Sequence, residues 1–176
     1  MLYSSHDAEQ AHILATAQAM CAAARTAPKT KGQDYLDTCI LTGDALEPLA
    51  AKMEELSDAH NAAFLRRDAG NVRKSSAVVL LGAKNVPHGL NGLCQYCGFP
   101  DCAAAADAGA ACVYTSMDLG IAIGSASAIA ADNRVDSRVM FSAGRAALAL
   151  GLLPCCSMAI AIPLSISGKS PYFDRK

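Results

Sequence analysis

The chemistry-bearing residues of this chain sit in one short stretch, Cys94-Gln95-Tyr96-Cys97-Gly98-Phe99-Pro100-Asp101-Cys102, followed after nine residues by Cys112. The spacing is C-x2-C-x4-C-x9-C. Two thiols three positions apart can grip one metal centre from a single turn, and uneven sets of four thiolates are how iron–sulfur clusters are held. Structural zinc also takes four thiolates, usually as two C-x2-C pairs, and only one such pair exists here. A zinc knuckle would want a histidine where Cys102 stands. A disulfide framework suits an exported chain, and the sequence shows no secretory leader. A purely structural reading, small buried thiols, fits single cysteines better than this set. The residues therefore favour an iron–sulfur centre on Cys94, Cys97, Cys102 and Cys112, with zinc as the alternative.

The neighbouring residues shape that stretch. Gly98 allows the chain to reverse and Pro100 stiffens it. Cys102 opens an alanine run, Ala103 to Ala106, that favours helix, and Gly109 is placed to end it. The chain can then double back with Cys112. His88, six residues before Cys94, is a fifth ligand candidate or a proton donor, although a lone loop histidine is more often neither. A second set lies at Arg25 to Gly32, where Arg25, Lys29 and Lys31 accompany the hydroxyls of Thr26 and Thr30. Three cations with hydroxyl donors suit a phosphate, and a solvated basic loop is the plainer reading. No nucleophile–base pair is apparent, so hydrolytic chemistry has no support.

Composition limits the remaining options. The 176 residues are enough for one domain, and 52% are apolar with only 5% aromatic and no Trp. Such a core must be built of small residues, which favours close helix packing or a large subunit interface. A net charge of −1 gives no bulk pull toward nucleic acid or anionic lipid. Eight cysteines without a leader point to a reducing cytoplasm. The longest apolar run, near residues 139 to 165, is interrupted by Arg145 and Pro154, and no segment is expected to reach the roughly twenty residues that span a bilayer.

Taken in order, residues 5 to 24 predict a helix capped by Ser5. Tyr35 to Thr42 predicts a strand. Asp44 and Glu47 predict the start of a helix whose stripe is Leu46, Leu49, Met53 and Leu56, and a second helix runs from Asn61 to Asp68. Arg66, Arg67, Arg73 and Lys74 read as a solvated edge. Ser76 to Gly82 is an unbroken apolar strand, buried on both faces. Thr115 to Asp118 reads as a capping signature for a helix from Tyr114 to Asn133, uncharged from Leu119 to Ala131 and expected to be buried on every side. Gly120 and Gly124 would let another backbone approach it. Asp132 to Ser137 reads as a polar turn, Val139 to Leu150 as the last helix, and Met158 to Ile162 as the last strand. Cys21 reads as core, and Cys155 and Cys156 as a buried strand start.

Cys94-x-x-Cys97-Gly98-Phe99-Pro100-Asp101-Cys102 resembles the C-x2-C-G-[YF]-P-x-C signature of 4Fe–4S domains in corrinoid iron–sulfur proteins and membrane electron-transport ferredoxins. Cys112 stands ten residues past Cys102 where those domains have roughly fifteen, a difference that a helix one or two turns shorter absorbs at about 1.5 Å per residue. Over nearly its full length the chain resembles the family of ferredoxin-domain-containing proteins. The carrying segments are Ala23-Ala24-Arg25-Thr26-Ala27-Pro28-Lys29, the cysteine motif, and the closing run from Ala161 to Arg175. The layout of that family in turn resembles the nitroreductase fold. That implies an α+β domain spanning residues 1–176, with a small antiparallel or mixed sheet, helices around a central helix, and an iron–sulfur hairpin inserted at residues 90–113. It implies FMN held by Arg25, Thr26 and Lys29, with Ala27 in place of the serine of the nitroreductase Arg-x-Ser-x-Arg/Lys loop, and by Lys169 and Arg175 of the tail. It also implies a homodimer built on the central helix.

Three functions follow as expectations. One is a flavin-dependent oxidoreductase passing electrons between a 4Fe–4S cluster and FMN or a small substrate, served by a redox partner protein. Another is a cluster-carrying electron-transfer protein without flavin. The third is a structural zinc protein that binds a partner.

Overall fold

The structure, a computed structural model, describes residues 2–173. Helix α1 spans Ser5–Thr26. Its cap is Ser4 and not the expected Ser5. The Ser4 hydroxyl accepts the Asp7 N–H, the Asp7 carboxylate accepts the Ser4 N–H, and Ser5 instead bonds Glu9 four residues on. The helix also runs past residue 24, which puts Arg25 and Thr26 in its last turn and not in a loop.

Strand β1 (Leu36–Thr42) leads through a 3₁₀ turn, Gly43–Ala45, into α2 (Leu46–His60) and α3 (Ala63–Arg73). Asp44 lies inside that turn and does not cap α2, whose N-terminus has no side-chain cap. Strand β2 (Ala77–Ala83) follows, then a long loop to the short helix α4 (Cys102–Asp107) and the long helix α5 (Val113–Asp132). A two-residue strand β3 (Asp136–Ser137), helix α6 (Phe141–Ala149) and strand β4 (Met158–Ser165) complete the described chain. The expected polar turn after α5 thus includes a short strand.

The four strands form one fully antiparallel sheet in the order β1-β2-β4-β3. β2 is central, with Ala83 opposite Leu36 and Met158 at one end, and Ala77 opposite Thr42 and Leu164 at the other. Its side chains alternate between two cores, as a strand of period two requires. Val79 and Leu81 face α1 and α5, while Val78 and Leu80 face α2, α3 and α6. The fold is therefore three layers, helix–sheet–helix, and the unbroken apolar reading of β2 follows from burial on both faces.

Small residues set the close contacts. Ala143, Ala146 and Ala147 of α6 are fully buried, and a Cβ on Gly144 would lie 2.2 Å from the carbonyl oxygen of Ala159 in β4. On the far side, buried Asp68 accepts hydrogen bonds from Ser142 and Arg67. Arg73 grips Glu47 and Glu54 of α2. Arg67 and Arg73 lie on the exposed edge expected for them and make ion pairs there, Arg67 with buried Asp68 and Arg73 with α2.

Helix α5 departs from expectation in a way that matters for assembly. Leu119, Ala122, Ala126 and Ala130 are buried against α1 and the sheet. The opposite face, with Met117, Gly120, Ile121, Gly124 and Ala128, is exposed within one chain, and nothing lies within 4 Å of a Cβ placed on either glycine. An uncharged helix needs apolar cover on all sides, and one chain covers only one. Among the described residues α5 is also one helix long and apolar enough to cross a membrane, by length and composition alone. The expectation that no segment reaches that length is corrected.

Candidate metal and cofactor site

The loop between β2 and α5 folds back on itself so that Cys94, Cys97, Cys102 and Cys112 all line one pocket, with His88, Phe99 and Tyr114. All four thiols are half-buried. Gly98 turns the chain at φ +82°, a conformation that favours glycine. Asp101 accepts the Ala104 N–H and caps α4, fixing Cys102 in its first turn. Gly109, at φ +67°, closes α4 as expected, with its N–H to Ala106 and that of Ala110 to Ala105. Cys112 then serves as the N-cap position of α5. Asn85, two residues past β2, fastens it there: its amide donates to the Ala110 carbonyl and its oxygen accepts the Cys112 N–H. The chain just past β2 thereby holds Cys112. A lone asparagine after a strand gave no sequence signal of this.

Four thiols converging on one pocket suit a thiolate-ligated centre. Among the described residues, no three His, Cys, Asp or Glu side chains are arranged to hold a single metal ion.

His88 forms the floor of the pocket and is only 3% exposed. Its Nδ1 lies 3.5 Å from the Cys112 sulfur. Its Nε2 lies 3.3 Å from Oδ2 of Asp118, too far off line for a hydrogen bond, and so remains buried without one. Lys31 donates from Nζ to the His88 carbonyl, and the ring sits against Tyr35 and Tyr114. Tyr114 stacks in turn on Tyr96. Loss of water and the nearby Cys94 thiol push the Tyr114 hydroxyl above its usual pKa. Asp118, read from sequence as part of a helix cap, caps nothing. It lies a turn and a half inside α5, 6% exposed, and accepts the Thr30 N–H and hydroxyl.

The basic segment is committed to internal partners. Arg25 donates to Asp34 at 2.6 Å and to the Leu36 carbonyl at 2.9 Å. Burial alone would raise the Asp34 pKa. The hydrogen bond from Arg25, the Leu36 N–H and the charges of Lys29 and Arg25 outweigh it and hold the carboxyl below its usual range. Thr26 bonds back to the Ala22 carbonyl, and Lys29 donates to the carbonyls of Ala24 and Arg25, at the negative end of α1. Thr30 and Lys31 lead to Asp118 and His88. The basic segment and the cysteine pocket, read separately from sequence, are thus joined through the pairs Thr30–Asp118 and Lys31–His88.

Lys169 follows the end of β4 that pairs with Ala77, whereas Arg25 reaches Leu36 at the other end of the sheet. Seven paired residues separate those ends by about 20 Å. Arg175 lies outside the described residues. Cys155 is exposed in a turn at φ +66°, correcting its reading as a buried strand start, and Cys156 is half-buried against Gly82. Cys21 is half-buried at the edge of the core, where burial raises its pKa.

Residues 108–175 match the family described as uncharacterized protein containing a ferredoxin domain (DUF2148). That span includes Cys112 and stops short of Cys94, Cys97 and Cys102. An uncharacterized protein of Archaeoglobus fulgidus is 40% identical over 184 residues, covering 99% of this chain and 98% of that protein. The fold is similar to a Bacteroides fragilis nitroreductase with bound FMN, at a TM-score of 0.62 and 12% identity over 92% of this chain and 81% of that one. It is also similar to the Lactococcus lactis nitroreductase CinD in complex with chloramphenicol, at a TM-score of 0.59 and 19% identity over 94% and 85%. The nitroreductase-like body expected from sequence is therefore present.

Proposed function

The chain belongs to the family of uncharacterized proteins containing a ferredoxin domain, and on that premise we propose that it is an iron–sulfur redox protein, with a 4Fe–4S cluster on Cys94, Cys97, Cys102 and Cys112. The observation that carries this reading is that all four thiols line one pocket in the loop between β2 and α5. The residue 90–113 segment is then the cluster-bearing insertion in one nitroreductase-like domain. When bound, the cluster supplies one-electron transfer. The chain supplies the thiolates, the half-buried setting and the Asn85 clamp. Exposed Leu93 and Tyr96 beside the pocket, at 90% and 65% exposure, offer a redox partner protein a dry approach.

The finer reading is a flavin-dependent oxidoreductase. FMN is bound in the Bacteroides fragilis nitroreductase of the same fold, and Arg25 and Lys29 stand at the spacing that would hold its phosphate, with the Thr26 hydroxyl standing in for the serine that Ala27 replaces. The links from Thr30 and Lys31 to the cysteine pocket would put flavin and cluster side by side. The open apolar face of α5 supports a homodimer. A second reading, an electron-transfer protein without flavin, is favoured by one observation: Arg25, Thr26 and Lys29 are already spent on internal partners. All eight cysteines are free thiols, which suits a reducing compartment such as the cytoplasm.

Anaerobic purification separates these readings. Broad absorbance near about 400 nm that dithionite bleaches supports the cluster. A yellow compound released on denaturation supports the flavin. A colourless protein releasing one zinc would favour the structural-zinc alternative over both.

A further inference from the structure

We infer that His88 donates a hydrogen bond from Nδ1 to the sulfur of Cys112 when that sulfur is bound to the cluster, and that this bond raises the cluster's reduction potential. The inference rests on the cluster reading above and assigns a role to a residue outside the ligand set.

The geometry points to it in three ways. The distance between Nδ1 and Sγ is 3.5 Å, within the range for a bond to sulfur. The ring is fixed: its own carbonyl is held by Lys31, its faces and edges meet Tyr35 and Tyr114, and its far nitrogen confronts the carboxylate of Asp118. That carboxylate is itself pinned by the Thr30 N–H and hydroxyl. Among the described residues, Cys112 is also the one member of the set whose sulfur has a side-chain donor in reach.

The direction of the bond follows from the chemistry of the ligand. A thiolate bound to iron has lost its proton and can only accept, so the contact is attractive when Nδ1 carries hydrogen. Reduction adds negative charge to the cluster and its sulfurs. A fixed N–H dipole stabilises that charge more than the charge of the oxidised form, and burial strengthens the effect. His88 is therefore a positioning and tuning residue. Lys31 acts through it by holding the His88 carbonyl, and Tyr35 and Tyr114 by packing against the ring.

The test compares His88→Phe and His88→Asn with the wild-type protein, all prepared anaerobically. Phenylalanine keeps the ring between Tyr35 and Tyr114 and removes the donor. Asparagine restores an amide N–H near the place of Nδ1. The expected result is iron and sulfide content equal to wild type in both, a lower reduction potential in the Phe variant by EPR-monitored titration, and a return toward wild type in the Asn variant. A Phe variant with full iron and an unchanged potential would overturn the inference. A second measurement needs no variant. Pulsed EPR of the reduced wild-type protein grown with 15N-histidine is expected to show a nitrogen coupling to the cluster, and its absence overturns the inference even where the Phe variant fails to load. A wild-type protein without iron and sulfide would instead remove the cluster reading itself, and this inference with it.

Discussion

Gly144→Ala tests the packing of α6 on the sheet. The added Cβ would lie 2.2 Å from the carbonyl oxygen, 2.6 Å from the carbonyl carbon of Ala159 and 2.7 Å from Cα of Ile160, all backbone atoms. Ordinary van der Waals contact begins at 3.4 Å, so α6 must retreat by roughly 1 Å. That retreat opens the layer of Ala143, Ala146 and Ala147 and strains the paired bonds between Met140 and Ala161 at the head of the helix. Two terms oppose each other. Alanine in a helix interior gains up to about 1 kcal/mol over glycine. Overpacking costs about 1–3 kcal/mol, and more where the neighbour is backbone that cannot rotate away. The clash wins, and the variant is expected to lose about 2–4 kcal/mol, or about 5–15 °C in Tm for a domain of this size. Urea unfolding, with both proteins in the same cofactor state, would show a lower midpoint at unchanged slope. Gly70→Ala in α3 is the control, because nothing lies within 4 Å of its Cβ. It is expected to be neutral or more stable by up to about 1 kcal/mol. If Gly144→Ala is as stable as wild type, α6 does not approach β4 as described.

Cys97→Ser is expected to abolish the cluster, and retention of full iron and sulfide would refute the ligand assignment. Gly124→Leu is expected to convert a dimer to a monomer by sedimentation with the helical circular dichroism intact, since the added side chain meets nothing within one chain; an unchanged dimer would place the interface elsewhere. Burial raises the pKa of Tyr172 above 10.0, against the weaker opposing pull of its hydrogen bonds, so its contribution to stability is complete below pH 10.0 and is lost as the pH rises beyond it. Tyr172→Phe should flatten that alkaline loss while costing about 0.5–1.5 kcal/mol at neutral pH, read from unfolding midpoints. Arg25→Ala is expected to weaken FMN binding by about 1.5–3 kcal/mol, and unchanged affinity would remove Arg25 from the flavin site.

Much of the frame was legible in the sequence because its signals are local. The apolar run of β2, the stripe Leu46, Leu49 and Met53, the glycines at 98 and 109, and the alanine run of α4 each act within a few residues, and each stands where expected. The cap of α1 shifted by one residue because Ser4 and Ser5 are equally good caps and the partner, Asp7, is three residues from Ser4. What was not legible depends on residues far apart in the chain. Asp118 reaches Thr30 across 88 positions, and Lys31 reaches His88 across 57. Local spacing assigned Asp118 to a helix cap and read the basic segment as a solvated loop or a phosphate site. The three-dimensional structure directs Asp118, Thr30 and Lys31 toward the cysteine pocket and ties Arg25, Thr26 and Lys29 to Asp34, Leu36 and the end of α1. Burial of α5 was overstated for a different reason: an uncharged helix signals cover on every side without saying which chain provides it.

The measurement that bears most directly on the four-thiol centre is iron, acid-labile sulfide and zinc per chain in protein prepared without oxygen. A 4Fe–4S site predicts about four irons and about four sulfides per chain with no zinc. One zinc and no sulfide, or no metal at all in a folded and fully reduced sample, would contradict it.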